Sequence, residues 1–389
     1  MPDHYLHGVE TIEIDNGGRP IRTLKSSVQG IVGTAANTDE AEFPMNANVL
    51  VSTRAQAEKL GPGTLRDAYL ALADQGATLS VMRRVPESDD AQEQLAHILG
   101  DAASMTGVHG LRASASDIGV TPRIISAPGF TGLRPGGRAN PVGSALMGIA
   151  DRTRAVAVVD GPNTNEAEAL AARNDYGSQR VYMVDPYAKV FRDGEFVDVP
   201  ASAFASAAIA RRDAERGFWW SPSNSVLNGV SGVARPVTFG LSDPDTEANR
   251  LNENGIATII HREGYRLWGQ RSTSIDPIWS FLQVRRVCDL VYESIEDQHM
   301  WAMDRPISAQ LSKDIVEGVN AYLRRLRALG AILGGRAWLD EELNTPSTLK
   351  AGNLYVDFDI EPPVGLEHLT FRAFRNEGYY EEVFLDLAA

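Results

Sequence analysis

Along most of the chain, short apolar runs alternate with amphipathic stretches. Residues 28–33, 49–52, 78–85, 123–127, 155–159, 180–184 and 256–260 are apolar runs of strand length. Between them, residues 54–60, 64–75, 88–99, 140–152, 165–173 and 201–216 carry apolar positions at helical spacing. Strands alternating with helices predict an α/β core domain with a mixed, partly parallel sheet. Gly, Pro, Ser and Asn crowd residues 222–232 and 242–245, which read as loops.

From residue 277 the pattern changes. Ile278, Phe281, Leu282, Cys288, Val291 and Ile295 predict one long helix. Leu311, Ile315, Val319, Tyr322, Leu326 and Leu329 predict a second, opening near Ile307 and stopped by Gly330. Leu354, Val356, Phe358 and Ile360 then alternate with Tyr355, Asp357 and Asp359. After Pro362 and Pro363, Leu369, Phe371 and Ala373 predict the partner strand. Two helices and a small sheet make an α+β C-terminal domain.

The two ends resemble each other. Val9, Ile12 and Ile14 lie in an alternating run closed by Asn16-Gly17-Gly18, and Val383, Phe384, Leu385 and Leu387 alternate after Asn376-Glu377-Gly378. Each end carries four acids against one Arg, over residues 1–20 and 375–389. A lone terminal strand needs a sheet to join, so both read as extended β-strand arms. The expected division is an N-terminal arm (1–20), an α/β body (21–275, with a subdomain split near 110), a C-terminal α+β domain (276–375) and a C-terminal arm (376–389).

At 389 residues the chain is long enough for two or three compact units, and 43% hydrophobic with 23% charged residues is ordinary globular composition. No stretch approaches the ~20 apolar residues of a membrane helix, and the opening residues lack the basic and apolar regions of a signal peptide. Synthesis in a cytoplasm without membrane insertion is the expectation. Cys288 is the one cysteine, which excludes an intramolecular disulfide and reads as a small buried hydrophobe. A net charge of −14 argues against a nucleic-acid binder.

Catalytic motifs are sparse. The phosphate-cradling GxxxxGK[ST], HExxH and paired CxxC patterns are missing. Gly229-Val230-Ser231-Gly232 places Val233 where a nucleophile elbow needs glycine, and reads as a turn. His4 and His7 have metal-like spacing at a terminus. Asp357 and Asp359 share a strand face, as a solvated face requires. His261 and Glu263 follow a strand end of the kind where α/β enzymes place ligands, with no nucleophile or oxyanion donor to accompany them. No catalytic residue, cofactor or metal is expected.

Several runs together resemble the contractile tail sheath family, specifically the compact sheaths of P2-like phages and R-type pyocins. These are Tyr5-Leu6-His7-Gly8-Val9-Glu10 with Arg19-Pro20-Ile21-Arg22, then Arg123 to Phe130, Trp219 to Asn224, and Arg305-Pro306-Ile307 through Gly352 to Phe371. The most specific block joins Asn252-Glu253-Asn254-Gly255-Ile256 to Trp268-Gly269-Gln270-Arg271. Ser272-Thr273 stands where Thr-Leu commonly follows in the family.

The resemblance implies hexameric rings stacked helically around a tail tube, joined by terminal arms, contracting in use and working with a baseplate and tail terminator. It places the chain in a virion tail or tailocin particle assembled in a bacterial cytoplasm. The arm strands would add to a sheet carrying Leu354, Val356, Phe358, Leu369 and Phe371. Lys313, Arg324, Arg325 and Arg327 form a locally basic helix face, a candidate for meeting an acidic tube. Another tail or baseplate component, or an α/β hydrolase, remain as alternatives.

Overall fold

The computed structural model describes residues 20–77, 79–192, 194–381 and 387. Its strands are β1 (Gln29–Gly33), β2 (Asn48–Val51), β3 (Ser80–Arg84), β4 (Ile124–Ser126), β5 (Val156–Asp160), β6 (Val181–Val184), β7 (Ala188–Arg192), β8 (Glu195–Val199), β9 (Ser225–Val226), β10 (Val230–Val233), β11 (Ile256–His261), β12 (Tyr265–Trp268), β13 (Gly334–Leu339) and β14 (Val356–Glu361). The α-helices are α1 (Arg54–Ala57), α2 (Thr64–Asp74), α3 (Ala91–Leu99), α4 (Ser114–Ile118), α5 (Pro141–Thr153), α6 (Glu166–Arg173), α7 (Ala201–Arg216), α8 (Glu247–Glu253), α9 (Leu282–Asp297), α10 (Ala309–Leu329) and α11 (Pro346–Lys350).

Nine strands form the main sheet in the order β2-β3-β1-β4-β5-β6-β11-β12-β9. The run from β3 to β11 is parallel, and β2, β12 and β9 extend it antiparallel. Strands β1, β3, β5 and β6 are buried at every position. That follows from helices on both faces, and it is why β6 reads as an unbroken apolar run, while β3 buries Arg83 and Arg84. One face packs on α2 and α7 through Leu65, Leu72, Phe204 and Ile209. The other packs on α3, α5, α6 and α8 through Ile98, Leu146, Ala169 and Leu251. The expected α/β core is borne out.

A third core belongs to the C-terminal domain. Val287, Leu290 and Val291 of α9 meet Val319, Tyr322, Leu323 and Leu326 of α10. Val356, Phe358 and Ile360 of β14 cover one side of this core. Ile21 is buried here too, with Leu24 beside it, and Thr23 Oγ1 lies 3.0 Å from Tyr322 Oη. The chain therefore leaves residue 20 from the surface of the C-terminal domain before it enters the body.

Acid–arginine pairs along α9 join the two domains. Arg286 grips Asp213 of α7, Asp289 accepts from Arg180 at 2.8 Å, Glu293 from Arg123 at 2.7 Å, and Glu296 from Arg154 at 2.7 Å. Positions 286, 289, 293 and 296 share one helix face. The pairs grade from buried, with Arg286 and Asp213 at 4% and 3% exposed, to open, with Arg154 and Glu296 at 32% and 62%.

Four sequence expectations are corrected. Helix α9 begins at Leu282, because Pro277–Trp279 forms a separate 3-10 turn that leaves Ile278 exposed. Residues 222–232 carry β9 and the start of β10, which pairs with β7. The partner of β14 is β13, whose leading Gly334-Gly335 carries no alternation to detect. Residues 362–376 form no strand: prolines at 362 and 363 turn the chain away after β13 has taken the ladder side of β14. Leu369 and Phe371, expected in that sheet, are 59% and 85% exposed.

Candidate assembly interface

The two-stranded sheet β13-β14 has two different outer edges. In an antiparallel pair, alternate residues turn their backbone groups outward. Asp340 donates across the ladder to Tyr355 O, which fixes the parity: Arg336 and Trp338 face β14, while Ala337 faces away. On that outer edge Asn320 of α10 pairs with Ala337 in both directions, donating to its carbonyl at 2.9 Å and accepting its N–H at 2.8 Å. A side-chain amide thus stands in for a neighbouring strand at the centre of β13.

By the same parity Val356, Phe358 and Ile360 turn their backbone groups away from β13, and among the described residues none has a hydrogen-bond partner. A groove runs beside them, walled by Tyr292, Ile295 and Glu296 of α9 and by Arg154. The side chains of Val356, Phe358 and Ile360 anchor β14 to the third core, so the edge is held in place. An ordered, unpaired edge is a template for another strand. Leu354, the remaining residue expected in the receiving sheet, precedes β14 and lines a second groove between α10 and β13.

Of the arm residues, Val9, Ile12 and Ile14, and likewise Val383, Phe384 and Leu385, lie outside the described residues. Residues 379–381 and Leu387 are helical where an extended arm was expected. A lone strand leaves its donors unpaired, whereas a helical turn pairs them locally, as Tyr380 N–H does with Glu377 O.

The block from Asn252 to Arg271 is a packing unit. Asn252 Nδ2 donates to both Ile256 O and Trp268 O, at 3.1 Å each, tying its two halves together. Gly269 sits at φ +129°, and a Cβ there would approach Ala257 Cα to 2.8 Å. Tyr182 Oη donates to its carbonyl at 2.7 Å. The Trp268 ring meets Phe239 edge-on at 5.2 Å. Arg271 leaves the block and grips Glu367 with Nε and Nη2, the latter at 2.6 Å from Oε2.

The other candidates stay apart. His261 is exposed, its ring tilted against that of Tyr265 at 4.7 Å, and Ser231 lies within β10. His4 and His7 lie outside the described residues. Burial pushes Asp160 up to about 6, but its oxygens accept from Ser202 N at 2.8 Å and Gly129 N at 3.0 Å, which ties α7 to the loop after β4. Cys288 is buried, and burial pushes its thiol up. Lys313, Arg324, Arg325 and Arg327 are all exposed on α10. Arg324 pairs with Glu317, and Lys313 stands at the groove beside β13.

Residues 104–273 match the model of the phage tail sheath protein central domain, and residues 274–374 that of the phage tail sheath C-terminal domain. The tail sheath protein of Escherichia phage P2 is 35% identical over 383 residues, covering 95% of each chain. The chain belongs to the phage tail sheath family. A putative prophage major tail sheath protein of Pseudomonas aeruginosa is also 35% identical, over 99% of this chain and 100% of its own. The boundary between the two sheath domain models, at residues 273 and 274, falls just before the 3-10 turn that leads into α9. The open edge and the Asn320 clamp both lie in the sheath C-terminal domain.

Two solved sheaths share the fold. The helical sheath of the anti-feeding prophage in its contracted state superposes with a TM-score of 0.71 at 19% identity, covering 96% of this chain and 100% of its own. The contracted PVC sheath of an extracellular contractile injection system gives 0.72 at 16% identity, covering 97% and 99%.

Proposed function

We propose that this sheath protein is a structural subunit of a contractile tail, polymerising as helically stacked hexameric rings around a tail tube. Terminal arms of one copy join the sheets of others, and assembly in a bacterial cytoplasm precedes use in a virion tail or tailocin particle. The observation that carries this reading is the open edge of β14, held rigid over the third core and bordered by a groove. Ile21, close to the start of the described chain, is buried in the same domain, and the alternating pattern of the sequence before residue 20 is suited to lie along such an edge. Nineteen extended residues reach roughly 60 Å, enough to tether neighbouring copies while their bodies rotate. Head-to-tail contacts of this kind generate rings where the rotation closes and helical polymers where it does not.

In this reading the baseplate and a tail terminator bound the polymer, and the basic residues of α10 face the tube. The extended lattice is a kinetic trap whose contraction packs bodies more closely. The test compares the intact chain with one lacking residues 1–18, each concentrated and imaged by negative-stain electron microscopy. Striated hollow tubes from the intact chain alone are expected. Equal polymerisation of the shortened chain would remove the N-terminal arm from the mechanism.

A further inference from the structure

Beyond β14 the chain passes Pro362, which is buried, and from Leu366 to Glu381 every residue is exposed. This stretch carries Leu366, Leu369, Phe371 and Phe374 into solvent at 59% exposure or more. Among the described residues, the hydrogen bonds and ion pairs that tie it back to the body cluster at its root. Gln270 Nε2 donates to Gly365 O at 3.3 Å, and Gln270 Oε1 is itself held by Gln283 Nε2 at 3.2 Å. Two residues further on, Arg271 closes on the carboxylate of Glu367 through Nε, at 3.0 Å from both oxygens, and through Nη2 at 2.6 Å.

The receiving side is built for this contact. Gln270 and Gln283 are buried, at 6% and 1% exposure. A Cβ on Gly365 would lie 1.9 Å from Gln270 Oε1, so a larger residue there would have to displace the Gln270 amide from this contact. Arg271 pairs with Phe281 through a backbone bridge, and its guanidinium lies 5.4 Å from the Phe281 ring centroid. A planar guanidinium fork holding a carboxylate fixes direction as well as distance. The cation is therefore braced on one side by an aromatic ring and fixed on the other by a specific partner.

We infer that Arg271 and Glu367 form a latch that sets the direction in which the C-terminal arm leaves the subunit, preparing it for capture by a neighbouring copy. This rests on the reading of residues 376–389 as an inter-subunit arm, and takes the exposed stretch from Leu366 as its root. It adds that the arm is aimed by the body, through the last residue of the Trp-Gly-x-Arg element. Arg271 and Glu367 are 40% and 32% exposed at the side chain, so the pair adds little to folding. Its effect falls on assembly: an arm held in one direction presents a higher effective concentration to the next subunit than a freely pivoting one.

The test uses four full-body chains under conditions in which the intact protein polymerises: Arg271→Glu, Glu367→Arg, the double charge swap, and a chain ending at Gly365. The fraction in polymer is read by sedimentation, and folding by thermal melting of the soluble form. Each single reversal should lower polymer yield by about fivefold or more while leaving the melting midpoint nearly unchanged. The double swap should recover the yield to within about twofold. Single variants that polymerise like the intact chain, while the truncated chain does not, would overturn the latch and leave the arm standing. A truncated chain that polymerises normally would overturn the arm and the latch together. A double swap as defective as the singles would show that the Arg271–Glu367 contact is not what sets assembly.

Discussion

Single residues set the close approaches on which the body depends. Replacing Gly269 with Ala forces a left-handed backbone on an L-residue and drives Cβ toward Ala257. A loss of about 2 kcal/mol or more in unfolding free energy is expected from denaturant melts. Asp160 acts through pH. An acid whose folded pKa lies near 6, above its unfolded value of 3.8, holds its proton more tightly when folded. Its contribution is full below the unfolded value and is lost as pH rises through about 6. The thermal midpoint should fall as pH is raised across that window, and Asp160→Asn should flatten the fall. The importance of Gly269 was legible as a motif, but its cause was not. Ala257 and Tyr182 reach it from strands distant in sequence, and no local pattern announces such a contact. Asp160 lies just past the apolar run 155–159, and nothing in that run marked it.

At the scale of elements, α9 carries the ion pairs that join the body to the C-terminal domain. Removing Asp289 takes the carboxylate from buried Arg285 and leaves Arg180 only the more exposed Asp151 at 3.4 Å, and should cost about 3 kcal/mol. Removing Glu296, whose pair is open to solvent, should cost under about 1 kcal/mol. Parallel denaturant melts of Asp289→Ala and Glu296→Ala would check the contrast. Periodicity revealed most helices and the buried strands because helix and sheet burial imprint 3.6 and unbroken apolar patterns. It missed β7 and β8, whose exposed Phe191 and Phe196 meet edge-to-face at 5.2 Å outside any core. It missed β13 as well, and with it the Asn320 clamp, since the partner of an asparagine amide lies in the fold and leaves no trace in spacing. The alternation in residues 366–374 was real, but it describes an exposed segment rather than the strand beside β14.

Taken whole, the subunit is a body and a C-terminal domain joined by ion pairs, with an open strand edge on β14. The α9 ladder locks body to C-terminal domain, so lattice change falls on the contacts between copies rather than on the fold. Ile21 is buried in the C-terminal domain's core and the stretch after β14 is exposed beside it, so the proposed linking contacts would gather there. The polymer formed by the intact chain, solved by helical cryo-electron microscopy, tests the central claim most directly. A strand from a neighbouring copy, hydrogen-bonded to Val356, Phe358 and Ile360, is the expected result. A polymer in which the edge of β14 stays bare, with subunits joined through body surfaces alone, would contradict it.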